Sequence, residues 1–128
     1  MEYSIVIPAY NESDKITSTL TQVTNFMRNF ANDFEVLVVN DGSTDNTAEI
    51  VKKYSLENKE VKLIDNPHKG KGYAVRTGML EAEGELIYMA DADLAAPIGE
   101  LTKLSIWVKE QDYEIVIASR EGVGAERI

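Results

Sequence analysis

The chain has 128 residues, of which 44% are hydrophobic and 27% are charged, and it contains no cysteine. These values are typical of one soluble globular domain, expected to span residues 1–128, and the lack of cysteine excludes disulfides and thiolate metal sites. The formal net charge of −9 argues against nonspecific nucleic-acid binding, which requires many Lys and Arg contacts to phosphate.

No stretch of the sequence approaches the roughly 20 consecutive apolar residues of a membrane span, which argues against an integral membrane protein. The N-terminus, Met1 to Ser4, enters a strand-like run directly and lacks the basic and apolar regions of a signal peptide. We therefore expect a cytoplasmic location.

Strand-like runs alternate with helix-like stretches along the chain. The runs are Tyr3 to Pro8, Phe34 to Asn40, Val61 to Asp65, Glu85 to Ala90 and Tyr113 to Ser119. Between the first two runs, apolar residues recur at spacings of three or four, as in an amphipathic helix that packs on a sheet. Further helices are predicted over Thr44–Tyr54, Gly72–Glu83 and Ile98–Lys109. The alternation predicts an α/β fold with a parallel sheet covered by helices on both faces.

Polar residues and glycines concentrate in the loops that follow the first four strand-like runs. They are Pro8-Ala9-Tyr10-Asn11-Glu12, Asn40-Asp41-Gly42-Ser43-Thr44, Asn66-Pro67-His68-Lys69-Gly70-Lys71-Gly72 and Asp91-Ala92-Asp93. Each loop alone could be an ordinary turn, because Asp, Asn, Gly and Pro are common turn residues. In a parallel sheet, however, these loops meet at one edge, where α/β proteins bind ligands. Their common position predicts a ligand site.

The residue types suggest which parts of a ligand each loop would contact. Asp91 and Asp93 are hard oxygen donors, which suit Mg²⁺ or Mn²⁺ with positions left open for substrate phosphates. Tyr10 offers a ring, and Asp41 a carboxylate acceptor, to a base or ribose. The basic loop before the third predicted helix could approach phosphate, or it could be a solvated loop. Neither a dinucleotide-binding glycine pattern nor a P-loop is present in the sequence.

Three segments resemble, in order and spacing, the signatures of the inverting glycosyltransferases of family two, which have the GT-A fold. They are Ile5-Val6-Ile7-Pro8-Ala9-Tyr10-Asn11-Glu12, Val38-Val39-Asn40-Asp41-Gly42-Ser43-Thr44-Asp45 and Met89-Ala90-Asp91-Ala92-Asp93. The stretch from Gly70 to Leu80 is similar to the subgroup that transfers glucose from UDP-glucose to dolichyl or another polyprenyl phosphate. The resemblance implies a Rossmann-like three-layer sandwich with a mainly parallel sheet.

The resemblance also implies contacts to a UDP-sugar at the positions that match the family. These are Pro8, Ala9, Tyr10, Glu12, Asp41, Lys71, Arg76 and Ala92. Asp41 would lie near the uracil or ribose, and Lys71 and Arg76 are the candidates for phosphate contacts.

The catalytic residues implied by the resemblance are Asp91, Asp93 and Arg120. Asp91 would face the nucleotide sugar, and both aspartates would serve a Mg²⁺ or Mn²⁺ ion that bridges the diphosphate. The reaction would be in-line displacement at the anomeric carbon with inversion, and the metal would stabilise the charge that grows on the departing UDP. The acceptor phosphate is already anionic near neutral pH, so it would need a cation such as Arg120 more than a general base.

The implied acceptor lies in a membrane, so peripheral association with the cytoplasmic membrane face is expected. Family members continue beyond the Ser-Arg motif that ends at Arg120 into an acceptor-binding half, whereas this chain ends at Ile128. We expect the domain to lack that half, and the alternative is a nucleotide-sugar-binding half domain that is not competent for transfer alone. Apolar surface left exposed in this way would favour a homo-oligomer.

One further position and one further class of protein bear on the prediction. Asn40 stands where many relatives have a second aspartate beside Asp41, which removes one negative charge from the expected nucleotide site. A phosphoacceptor signalling domain fits the length and acidity by analogy only. It predicts an acidic cluster after the first strand, where this chain has Pro8-Ala9-Tyr10.

Overall fold

The computed structural model describes residues 1–92 in full and the backbone of residues 106–108, 116–118 and 125–127. The elements in these ranges are β1 (Tyr3–Ala9), α1 (Ile16–Phe30), β2 (Phe34–Asp41), α2 (Thr47–Glu57), β3 (Val61–Asn66), α3 (Lys71–Glu81), β4 (Leu86–Met89), β5 (Ile106–Val108), β6 (Val116–Ala118) and β7 (Ala125–Arg127). None of the helices described is both long enough and apolar enough to cross a membrane.

All the strands belong to one sheet, in the order β3-β2-β1-β4-β5-β6-β7. β1 lies between β2 and β4 and runs parallel to both, and β3 runs parallel to β2 on its other side. Ala9 is opposite Asn40 at the end of β1, whereas the pairing with β4 stops at Val6 opposite Met89. The carboxyl ends of these four strands therefore lie along one edge of the sheet, as predicted.

The helix predicted over Ile98–Lys109 is wrong at residues 106–108, which form β5. This strand pairs antiparallel with β4 and places Trp107 opposite Ile87. Ile, Trp and Val favour strands because branched and aromatic side chains fit a pleated surface. The rest of the predicted helix lies outside the residues that the structure describes.

The mainly parallel sheet that the resemblance implies is confirmed, and its antiparallel part lies beyond β4. β6 lies within the predicted strand Tyr113–Ser119, but it pairs antiparallel with β5, and β7 pairs antiparallel with β6. The parallel part is thus limited to β1–β4, which are the strands joined by helical crossovers. The sheet is therefore mixed, and the loops predicted to form the ligand site follow its parallel strands.

The two faces of β1 bury alternate residues against different helices. Ile5 and Ile7 are fully buried in a cluster that includes apolar residues of α1 and α2, whereas Val6 is buried in a second cluster that includes Ala74 of α3. Burial on both faces explains why β1 is a nearly continuous apolar run rather than an alternating one. The molecule therefore has three layers, with helices on both sides of the sheet.

The face covered by α3 is unusually tight at one point. A Cβ atom added at Gly78 would lie 2.4 Å from Val6 Cγ1 and 3.2 Å from Val39 Cγ2. Only glycine permits the helix to approach the two central strands so closely. This approach fixes the height of α3 above the sheet, and with it the position of Lys71 at the start of the helix.

Candidate functional site

A cleft of about 440 Å³ opens at the carboxyl ends of the parallel strands. It is lined by Pro8, Ala9, Tyr10, Glu12, Asp41, His68, Gly70, Lys71, Asp91 and Ala92. This volume is within the range of small-molecule sites. The structure therefore brings together residues from the loops after β1, β2, β3 and β4.

Most of the predicted donor-binding residues lie in this cleft, but three predicted residues are not seen there. Arg76 is an exposed residue of α3 and is not among the cleft-lining residues. Asp93 and Arg120 lie outside the residues that the structure describes. Two further lining residues, His68 and Gly70, belong to the basic loop that could approach phosphate, but they are not among the donor contacts implied by the resemblance.

The first wall of the cleft is formed where β1 extends beyond the last residue that pairs with β4. Pro8 lies two residues beyond Val6, the last residue of β1 that is registered with β4. Proline has no amide hydrogen to donate. It is tolerated at this position because β4 no longer pairs with β1 there. The chain then turns at Asn11, which has a positive φ of 54°. This turn leaves the Tyr10 side chain 40% exposed on the cleft wall.

The second wall is organised by the carboxylate of Asp41, a residue that is only 3% exposed. Its Oδ1 accepts a hydrogen bond of 2.8 Å from the amide of Lys69, and the amide of Gly70 lies 3.2 and 3.1 Å from the two oxygens. His68 Nδ1 is 3.0 Å from Asp41 Oδ2 and 3.1 Å from the Asp41 carbonyl oxygen. Because both oxygens are acceptors, Nδ1 carries the proton. The loop after β3 is thus fastened to the end of β2.

Gly42 makes this arrangement possible. Its φ is +66°, and a Cβ atom added there would lie 2.6 Å from the amide nitrogen of His68. Side chains are disfavoured both by that backbone conformation and by the contact. The Asp41-Gly42 pair, which could have been an ordinary turn, therefore serves the contact between two loops.

The loops after β1 and β2 are also joined to each other. Asn11 Oδ1 accepts hydrogen bonds from the amide of Thr44 at 2.8 Å and from the amide of Asp45 at 3.3 Å. Asp45 in turn accepts hydrogen bonds from Thr47 and Ser13, and the hydroxyl of Thr47 makes the largest contribution to a pKa of about 2 for this carboxyl. Asp45 is therefore ionised at neutral pH, and these contacts hold the loop that follows Tyr10.

Asn40 does not face the cleft. Its side-chain amide donates a hydrogen bond of 3.0 Å to Asp65 Oδ1, and its Oδ1 accepts one of 3.3 Å from the amide of Ser43. The residue is buried, and the cleft-lining residues do not include it. Asn40 therefore joins β2 to β3, because its side chain can donate to Asp65 and accept from Ser43 at the same time.

On the opposite side of the cleft, Lys71 and Asp91 form an ion pair. Lys71 Nζ lies 3.0 Å from Asp91 Oδ1, and the two side chains are 61% and 28% exposed. Lys71 is the first residue of α3, whose amino end adds partial positive charge. This side of the cleft can contact both an anion and a cation.

A divalent cation is compatible with the donor set described. Among the residues that the structure describes, there is no group of three or more His, Cys, Asp or Glu side chains that could hold a metal ion. Mg²⁺, however, is usually bound by one or two carboxylates together with substrate phosphates and water, and Asp91 offers such a carboxylate on the cleft wall. The Lys71 ammonium beside Asp91 also shows that the position accepts a positive charge.

The three layers and the polar cleft at the carboxyl ends of parallel strands define an α/β ligand-binding domain. Residues 4–127 match the family described as glycosyl transferase family 2. The chain belongs to this family, which confirms the resemblance carried by the three sequence signatures.

Curated relatives extend the comparison. The chain is 41% identical over 135 residues to dolichyl-phosphate beta-glucosyltransferase ALG5C of Trichomonas vaginalis, covering 97% of this chain and 40% of that protein. It is 36% identical to the dolichyl-phosphate beta-glucosyltransferase of Drosophila melanogaster, covering 94% and 41%, and 39% identical to the uncharacterized glycosyltransferase YkcC of Bacillus subtilis, covering 94% and 37%. The chain thus spans about 40% of the length of such relatives.

Solved structures agree with this assignment. The mannosyltransferase PcManGT from Pyrobaculum calidifontis, in complex with GDP-Man and Mn²⁺, has a TM-score of 0.65 and 28% identity over 72% of this chain and 27% of that chain. S. aureus TarS 1–349, in complex with UDP-GlcNAc, has a TM-score of 0.62 and 33% identity over 73% of this chain and 27% of that chain. Both similarities support a GT-A fold for the described part.

Proposed function

We propose that this chain is the donor-binding domain of a metal-dependent inverting glycosyltransferase. The reaction would transfer a sugar, in the first place glucose, from a UDP-sugar to a polyprenyl (dolichyl) phosphate. The observation that carries the proposal is the meeting of four loops, each holding part of a donor signature, in one cleft. Family membership and the names of the relatives support the reaction class.

We assign the nucleoside to the side of the cleft formed by Tyr10 and His68. Tyr10 presents an exposed ring, and the ring of His68 lies beside it. Asp41 lies behind them and holds the amides of the loop that carries His68. Asp41 therefore acts in this proposal by shaping the base and ribose pocket with its neighbours.

We assign the diphosphate to the side of Lys71 and Asp91. The ammonium group and the amino end of α3 suit phosphate oxygens, and the carboxylate suits a cation that those oxygens also bind. Mg²⁺ or Mn²⁺ would be held by Asp91 and Asp93 and would stabilise charge on the departing UDP. Ala92, between the two aspartates in the sequence, lines the cleft, and in this proposal it contacts the donor beside Asp91.

The acceptor phosphate requires orientation and a cationic partner. Arg120 is the proposed contact, as the resemblance implies, and Arg76 on the exposed side of α3 is a second candidate. A lipid-linked acceptor would bring the protein to the cytoplasmic face of a membrane as a peripheral protein. A homo-oligomer is the proposed means of completing the site in this chain.

A second candidate function is nucleotide-sugar binding without transfer. It is favoured by the observation that the chain spans about 40% of the length of the curated relatives. Under this alternative the cleft described above is complete, but transfer requires further protein. The two candidates share a donor site and differ only in the second step.

The experiment that tests the donor site is calorimetric titration of UDP-glucose and GDP-mannose, each with and without Mn²⁺. The variants are Asp91→Asn, in the cleft, and Asp14→Asn, an exposed carboxylate outside the cleft-lining set. We expect Mn²⁺-dependent binding of UDP-glucose that Asp91→Asn weakens and Asp14→Asn preserves. No binding of either sugar nucleotide to the wild type would refute a competent donor site.

Transfer is then measured with labelled UDP-glucose and dolichyl phosphate in detergent. Product formation would support the transferase. Donor binding without any product would favour the binding domain instead.

A further inference from the structure

Helix α1 contains two buried threonines whose hydroxyl groups have different partners. Thr19 and Thr24 are each 1% exposed. The Thr24 hydroxyl donates a hydrogen bond of 2.9 Å to the carbonyl of Leu20, within the same helix, and lies 3.3 Å from the Tyr54 hydroxyl of α2, away from the cleft-lining residues. The Thr19 hydroxyl instead donates to the carbonyl of Ala92, which is 73 residues away in sequence. Thr19 therefore joins α1 to the loop after β4.

The acceptor of this hydrogen bond, the carbonyl of Ala92, belongs to a residue of the cleft wall. Ala92 is 4% exposed, lines the cleft, and stands between Asp91 and Asp93 in the sequence. The amide of Ala90 still donates a hydrogen bond of 3.0 Å to the Val6 carbonyl, so the chain is held by the sheet up to the residue before Asp91. Two residues later, the Thr19 hydroxyl satisfies the buried carbonyl of Ala92 and fixes the backbone next to Asp91.

The start of the same helix, one turn before Thr19, is also fixed to the cleft wall. The amides of Lys15 and Ile16 donate hydrogen bonds of 3.0 and 2.9 Å to the carbonyl of Glu12, a cleft-lining residue. The amide of Glu12 donates a hydrogen bond of 2.9 Å to the Thr47 hydroxyl at the start of α2. The first turn of α1 therefore connects the wall that contains Glu12 to the backbone that follows Asp91.

We infer that Thr19 is a positioning residue for Asp91, the cation-binding carboxylate on the cleft wall. Its hydroxyl holds the backbone at Ala92, so that the neighbouring Asp91 is presented to the diphosphate and its cation. Thr19 lies behind the cleft wall and is not itself among the lining residues. The inference rests on the proposed function, because it concerns the donor and the cation of that reaction.

The test compares Thr19→Val with Thr24→Val. Valine keeps the shape of threonine and removes the hydroxyl, and the two sites are equally buried on one helix. Thr19→Ser restores the hydroxyl without the methyl group. For each variant, calorimetry measures the affinity for UDP-glucose with and without Mn²⁺, electron paramagnetic resonance measures bound Mn²⁺, and chemical denaturation measures stability.

We expect Thr19→Val to reduce the gain in affinity that Mn²⁺ provides by about tenfold, since a buried carbonyl that loses its donor must move or stay unsatisfied. Metal-free nucleotide affinity should be retained, because Tyr10 and Asp41 are unchanged. Thr19→Ser should restore the wild-type gain, and Thr24→Val should leave it intact.

The inference is overturned if Thr19→Val binds Mn²⁺ and UDP-glucose as the wild type does. It is also overturned if both valine variants lose the same gain, because the effect would then be one of helix packing. Wild-type binding of UDP-glucose without any gain from Mn²⁺ would overturn the inference alone, whereas no binding at all would refute the donor site itself. The wild-type titration therefore separates failure of the proposed function from failure of the Thr19 assignment.

Discussion

The ring of His68 stacks on the ring of Tyr10, with the centroids 4.3 Å apart and the planes inclined by 20°. Tyr10 comes from the loop after β1 and His68 from the loop after β3, so the contact spans the strand between them. His68 is held by its Nδ1 contacts to Asp41. A single imidazole thus connects the aromatic wall of the cleft to the buried carboxylate behind it.

Two variants separate the ring from its hydrogen bonds. His68→Ala removes both the ring contact and the contacts to Asp41, whereas His68→Phe retains an aromatic ring. We expect UDP affinity to fall in His68→Ala, by about 1 kcal/mol of binding free energy, and to be largely retained in His68→Phe. Calorimetric titration of UDP measures this difference. Tighter UDP binding by His68→Ala would contradict the assignment and show that His68 occupies the position of the base.

The glycines of the cleft loops offer a matched pair of substitutions. Gly42→Ala places a Cβ atom 2.6 Å from the His68 amide nitrogen at a φ of +66°, whereas nothing lies within 4 Å of a Cβ atom at Gly72 in α3. We expect Gly42→Ala to lower the free energy of unfolding by about 1–3 kcal/mol and to weaken UDP binding, because the loop must move. Gly72→Ala should be neutral or stabilising by up to about 1 kcal/mol. Urea denaturation measures both; equal stabilities would argue against the contact between Gly42 and His68.

Asn40 can be tested by changing it to the aspartate that many relatives have. Because its amide lies 3.0 Å from Asp65 Oδ1, Asn40→Asp would bring two carboxylates together, one at a buried position and one at an exposed position. We expect a loss of about 1–2 kcal/mol in the free energy of unfolding near neutral pH, which shrinks as acid protonates one of the pair. Asp65→Asn in the same chain should restore much of the loss. A double-mutant cycle measures the coupling, and additive effects would show that the two residues do not interact.

The lowered pKa of Glu35 predicts how the free energy of unfolding depends on pH. Burial raises the pKa of its carboxyl, but hydrogen bonds from the Glu83 amide, the Ser4 hydroxyl and Lys62 together outweigh burial and lower the pKa below its ordinary value. A lowered pKa contributes stability above the unfolded value of about 4.3, and that contribution is lost as the pH falls through the folded pKa.

The corresponding substitution is Glu35→Gln, at a residue that is 2% exposed. We expect it to cost about 1–3 kcal/mol of unfolding free energy at neutral pH, because a charge-assisted network becomes a weaker one. The difference from the wild type should shrink as the pH falls below about 4. Denaturation curves across this pH range measure it. A difference that grows in acid would contradict the lowered pKa.

The fold of the first 92 residues follows closely from local patterns. The apolar run through Ile5 and Ile7 predicts a covered strand, and the spacing from Ile16 to Met27 predicts α1, because burial of a face imposes a period on the sequence. Trp107 shows where this reasoning fails. A short apolar run can be buried in a helix or in a strand, and its pairing with Ile87 is decided by a neighbour that the local pattern does not contain.

The sequence predicts which strand-end residues meet in the cleft, but it does not predict the contacts between the loops. The direction of parallel strands brings Tyr10, Asp41 and Asp91 to one edge, so their meeting could be predicted from topology. The stacking of His68 on Tyr10 depends on how one loop folds over another, and composition places His68 only in a basic loop. Thr19 has no local signal at all, because a threonine within a helix gives no indication of a partner 73 residues away.

The position of β1 has a consequence for the synthesis of the protein. Strand β1 is first in the chain but central in the sheet, with β2 on one side and β4 on the other. During translation, one edge of β1 must wait for Leu86–Met89 to leave the ribosome. The wall that contains Tyr10 can therefore form early, whereas the wall that contains Asp91 is completed late. An open edge on the nascent chain is a natural binding site for a chaperone during that interval.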